Sequence, residues 1–102
     1  MSTNHFSALT EAEQERLAFL IEECAEVIQQ CGKVLLHGYD SDNNGKMPVN
    51  NRELLAMELG HVVYAINMLT AAKDVNEITI SWEQRSKEKN IVPYLHHQDV
   101  QS

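Results

Sequence analysis

The stretch MELGHVVYAINML, residues 57–69, decides the fold. At about 100° per residue, Leu54, Leu55, Val62, Ala65, Ile66 and Leu69 recur on one side of a helix that begins just upstream. Glu58 falls near the centre of that apolar stripe, and His61 lies at its edge one turn on. A lone carboxylate buried among aliphatic side chains costs roughly several kcal/mol, or takes up a proton to avoid the charge. Glu58 therefore needs a partner, which is either a basic side chain or a metal ion.

Upstream, a second helix shows the same period. Leu17, Leu20, Ile21, Cys24, Val27, Ile28, Cys31 and Leu35 place an apolar stripe centred near Cys24 and Cys31. Three short runs punctuate the chain: TEAE (10–13), NNRE (50–53) and DVNE (74–77). Each sets a capping residue three before a Glu, the pattern that satisfies free N–H groups at a helix start. These signals predict an all-α fold with helices at about 11–37, 51–73 and 75–89 and an irregular tail over 90–102. ITISW (78–82) alternates like a strand, but no second strand is evident to pair with it. The loop HGYDSDNNGKMPVN (37–50) is polar, with Gly38 the expected stop of the first helix.

The chain has 102 residues, 43% of them hydrophobic and 23% charged, which fits one globular domain. With 15 acids against 8 Lys and Arg, the net charge of -7 speaks against a nucleic-acid polymer as partner. No apolar run reaches the roughly 20 residues of a membrane span, and the N-terminus carries no export signal, so no membrane role is expected. Cys24 and Cys31 are seven apart on one helix, roughly 10 Å, beyond the reach of a disulfide. Free buried thiols and a cytoplasmic location follow. Two long helices and a short one leave wide apolar stripes uncovered, and a second copy completing a helical bundle is the economical solution. A homo-oligomer is expected.

On the first helix Glu22 points away from the stripe, whereas Glu23 and Glu26 sit toward one edge, where their carboxylates can converge. Together with Glu58 and His61 they form a potential four-ligand set where the two helices pack, and a hard divalent cation would offset their burial and mutual repulsion. The ordinary alternatives are a buried Glu paired with Lys or Arg, a structural His61, and solvated acids. Phe19 falls near the carboxylate face and is a candidate wall for a base pocket.

The residues EECAE (22–26) followed by ELGH (58–61) resemble the EExxE…ExxD signature of the MazG-like all-α nucleoside triphosphate pyrophosphohydrolases. The likeness extends through LIEECAEVIQQCGKVLLHGYDS (20–41), NNRELLAMELG (50–60) and KEKN (87–90), covering roughly residues 10–95. The resemblance implies a helical bundle, dimeric or tetrameric, that binds Mg2+ and hydrolyses a nucleoside triphosphate to the monophosphate and pyrophosphate. It implies metal ligation by Glu23, Glu26 and Glu58, with Glu22 orienting water or holding a second ion, and either Glu26 or Glu22 as general base. It also implies that Lys87, Lys89 and Asn90 approach the phosphates; the plain alternative is a solvated helix end. Related enzymes act on phosphoribosyl-ATP, which is an alternative substrate.

The chain departs from the signature at its last position, His61 in place of Asp. Three consequences stay open from sequence. His61 ligates and moves preference from Mg2+ toward Mn2+ or another ion tolerant of imidazole; or it contacts phosphate; or the site is weakened, leaving a non-catalytic nucleotide- or metal-binding protein. A separate match, DSDNNG (40–45), opens like an EF-hand calcium loop, but the twelfth position is Asn51 where a bidentate Glu belongs. A polar turn is the simpler description.

Overall fold

The first helix forms because both of its ends are chemically specified. In the computed structural model, which describes residues 8–98, α1 spans Glu11–His37. Thr10 Oγ1 accepts the Glu13 N–H at 3.1 Å, and the Glu13 carboxylate accepts the Thr10 N–H at 2.9 Å, completing the expected capping box. Gly38 stops the helix at φ 88°, ψ 163°, a conformation essentially confined to glycine, while its N–H still reaches the Val34 carbonyl at 2.7 Å.

The second helix, α2, spans Asn51–Ala71 and is capped by Asn50, whose side chain accepts the Glu53 N–H at 3.0 Å. It ends two residues before the expected 73, because Lys73 turns into the left-handed region at φ 64° and the Asp74 N–H folds back to the Leu69 carbonyl. The third helix, α3, spans Glu77–Ile91 rather than 75–89. Its cap is Asn76, which accepts from Ile78 and Thr79 at 2.8 and 3.3 Å, not Asp74 as DVNE implied. ITISW is helical within it. A 3-10 turn, Val92–Tyr94, begins the tail, so the expected irregular segment is ordered over its first residues. Among the described residues the fold is all-helical.

α1 and α2 pack as an antiparallel hairpin, and four side-chain contacts fix the register. Gln30 Nε2 donates to Asn51 Oδ1 at 3.2 Å near the loop. Glu23 and Glu58 flank His61 at mid-height. Phe19 meets Tyr64 edge-on, with ring centroids 6.1 Å apart. Arg16 donates two hydrogen bonds to Asp74, at 2.6 and 2.9 Å, where α2 ends. Asn51 also donates to the Gly38 carbonyl at 3.1 Å, tying the interhelical loop to the Gln30 pair. Within that loop Asp42 accepts the Gly45 N–H at 2.9 Å and Asp40 pairs with Arg52, which is turn chemistry rather than a calcium cage.

The buried core is small. Ala65 and Leu69 are buried, with Gln30 and Asn51 as polar companions. α2 covers only one side of the α1 stripe; on the other, Ile21, Ile28 and Leu35 stand 69%, 73% and 87% exposed. Cys31, expected to be buried, lies on this open side and is exposed, while Cys24 is half-buried. α3 makes no extensive packing against either long helix, and its main contacts are with the 3-10 turn. The radius of gyration is accordingly 17.5 Å, against about 13 Å for a compact chain of this length.

One expectation needs correcting. α2 is long and apolar enough by length and composition to cross a membrane, with mean hydropathy 1.4 over its most apolar window. A bilayer would place Glu58 and His61 near its midplane, at a cost of the order of 3 kcal/mol for a charged group there. Packing on α1 gives them polar neighbours instead.

Candidate metal centre

Four helical positions bring four candidate ligands together. Glu23 and Glu26 are three apart on α1, and Glu58 and His61 are three apart on α2, so each pair shares one face of its helix. Antiparallel packing then opposes the two pairs. One ligand atom from each of Glu23, Glu26, Glu58 and His61 lies within 4.8 Å of all the others. Such a group can hold a metal ion.

The finer geometry sharpens this. Glu23 and Glu58 are largely buried, with side chains 13% and 23% exposed. One oxygen of each, Oε2 in both cases, is fully enclosed and has no hydrogen-bond partner. A buried carboxylate oxygen without a donor is costly, and native structures leave few of them. His61 Nδ1 faces both orphaned oxygens, at 3.6 Å from Glu23 and 3.8 Å from Glu58, too far for a hydrogen bond. The Glu26 carboxyl is held above its ordinary value, first by a hydrogen bond shared with Glu58, then by the Glu58 charge and partial desolvation. The charge of His61 and a hydrogen bond with Glu23 oppose that rise. Carboxylates so crowded fit a dication: three oxygens and one imidazole nitrogen are a common divalent donor set, and the ion would satisfy both orphaned atoms.

The remaining expected site residues divide. Glu22 is exposed on the far side of α1 and does not join the cluster. Phe19, one turn before Glu23, stands beside it against Tyr64. Lys87, Lys89 and Asn90 are exposed on α3 and are not brought to the carboxylates by their own chain. Lys87 and Asn90 border one shallow hollow with Ile80, while Lys89 borders another with Trp82, so the KEKN run presents two different faces. A hollow of about 440 Å³ opens between the end of α1 and the loop, lined by Lys33, His37, Asn43, Asn44 and Asn51 among others. It is lined by no carboxylate, and the residues that could hold a metal ion lie at the helix crossing instead.

Sequence reasoning overlooked Tyr64 and Gln30. Tyr64 lies three residues after His61, so its place beside the cluster follows from spacing alone. Gln30 gave no such signal, since its burial depends on meeting Asn51 across the hairpin.

No protein-family model, curated protein or solved structure matches the chain. The likeness to the MazG-like signature rests on the motif residues themselves.

Proposed function

We propose that the protein is a metal-dependent nucleoside triphosphate pyrophosphohydrolase of the MazG-like type. The supporting observation is the convergence of Glu23, Glu26, Glu58 and His61, with two enclosed carboxylate oxygens lacking any donor. A bound dication would neutralise phosphate charge and orient water, the main requirements of phosphoryl transfer. Water adds to one phosphorus of the α–β bridge and the bond from that phosphorus to the bridging oxygen breaks; the electron pair stays on that oxygen, which departs with pyrophosphate when the α-phosphorus is attacked and with the monophosphate when the β-phosphorus is. The water proton passes to Glu26, which stands in the cluster, rather than to solvent-facing Glu22. Phe19 and Tyr64, about one turn away, offer an aromatic wall for the base.

The same reading includes self-association. A compact chain of 11.6 kDa exposes about 5,800 Å², whereas this one exposes 8451 Å². The surplus, roughly 2,600 Å² per chain, lies at the upper end of the about 1,000–2,500 Å² that obligate homodimers bury on each subunit. Across such an interface the Lys87 and Asn90 face of α3 would reach a carboxylate cluster that its own chain leaves distant.

The direct test is pyrophosphate release from a panel of canonical and modified NTPs and dNTPs and phosphoribosyl-ATP, with Mg2+ and Mn2+ in parallel. Turnover should appear with at least one pair and fall about 100-fold or more in Glu58→Ala. A folded protein that binds metal yet turns over none of these substrates would be a binding protein instead.

A further inference from the structure

We infer that the cluster is built for a transition-metal dication of the manganese-to-zinc series in preference to Mg2+, with His61 Nδ1 as an inner ligand. This inference rests on the metal-centre reading and adds the class of ion. Its basis is the placement of the imidazole. Nδ1 stands 3.6 and 3.8 Å from the two orphaned oxygens of Glu23 and Glu58. An imidazolium paired with either carboxylate would close to about 2.7–2.9 Å. Two donors on a single ion at about 2.0–2.2 Å each stand farther apart, roughly 3–4 Å depending on the angle at the metal. The observed separations match the second case for both oxygens.

Chemistry then selects among ions. Mg2+ demands hard oxygen ligands in near-ideal octahedral geometry and gives up water reluctantly. A nitrogen at one position favours ions with affinity for imidazole, which rises from manganese through cobalt toward the later metals. The sequence supplies that nitrogen at the very position where the acidic signature would supply a fourth carboxylate. The ring is also 53% exposed, so the outward side of a bound ion would stay open to water or a phosphate oxygen. The cluster thus has an inner side closed by Glu23 and Glu58 and an open outer side bordered by His61 and Glu26.

The experiment uses the full chain and MnCl2 or MgCl2 alone, with no nucleotide. Mn2+ suits it because exposed Cys31 and the tail imidazoles His96 and His97 hold it less well than they hold zinc. Isothermal titration should give Mn2+ a tighter dissociation constant than Mg2+ by the order of tenfold or more. Pulsed EPR of the Mn2+ form should show hyperfine coupling to one imidazole nitrogen. His61→Asp should remove that coupling and bring the two affinities together, with His61→Gln as a second variant should the first fail to fold. Mn2+ binding that Glu58→Gln abolishes, but that shows no nitrogen coupling or no preference over Mg2+, would overturn this inference while leaving the metal centre standing. Absence of binding by either ion at millimolar concentration would overturn both.

Discussion

At the scale of single residues, Glu58 concentrates the conflict between folding and the proposed metal site. Its helix would be better packed with an aliphatic side chain at the centre of the stripe, and the structure leaves one of its oxygens enclosed without a donor. Neutralising it should relieve the metal-free protein. Glu58→Gln keeps the shape, removes a buried negative charge beside Glu23 and Glu26, and supplies an amide that can donate to either. With a chelator present, the variant should be more stable by about 1 kcal/mol, or roughly 4–8 °C in melting temperature for a small domain. It should also lose any upward shift on adding Mn2+. Thermal scans with and without metal check this; a variant less stable than the parent in chelator would mean that the Glu58 charge is compensated by other means. The exchange of stability for a poised site is a familiar feature of functional centres.

Among elements, the register between α1 and α2 decides whether the ligand pairs face each other. Arg16 and Asp74 clamp the open end of the hairpin, and Gln30 with Asn51 clamps the loop end. The Arg16 guanidinium, through its hydrogen bonds, holds the Asp74 carboxyl below the ordinary 3.8, and the carboxylate in turn raises Arg16. A carboxyl whose folded value is depressed adds stability above its unfolded value, and that contribution fades as pH falls through the folded one. Asp74→Asn should therefore lower the melting temperature by a few degrees at neutral pH. The gap between parent and variant should stay constant down to about pH 5, then narrow below the ordinary 3.8. Melting curves from pH 7 to 2.5 would show it, and a gap that widened toward acid would contradict this role for the clamp. The clamp also explains one departure at the helix ends. Asp74, drawn to Arg16, is not available as a cap, and α3 starts at the next suitable residue, Asn76.

For the whole molecule, the exposed apolar surface dominates. Ile21, Ile28 and Leu35 line the uncovered side of α1, while Ile78 and Trp82 stand exposed on an α3 that packs extensively on neither long helix. A partner covering these faces would supply much of the stability of a chain with so small a core. A homo-oligomer predicts that the melting temperature rises with protein concentration and that sedimentation gives at least twice the 11.6 kDa chain mass. Ile28→Glu, with Leu35→Glu as a second variant, should shift the distribution toward monomer and lower the melting temperature together. A monomeric mass with a concentration-independent melting temperature would rule out a second copy as the cover.

Much of this structure is legible one helix at a time. Capping residues, apolar period and the Gly38 stop are local, so the sequence alone determines the helices to within about two residues. Helical spacing likewise pairs Glu23 with Glu26 and Glu58 with His61, because residues three apart share a face whatever surrounds them. What local chemistry cannot encode is the meeting of one helix with another. The antiparallel register that opposes the two ligand pairs, the burial of Gln30 against Asn51, the capture of Asp74 by Arg16 and the sparse packing of α3 on the hairpin all depend on contacts distant in the chain. Only tertiary packing decides these, since a side chain's burial and its partners are properties of the surface it meets and not of its own neighbours in sequence.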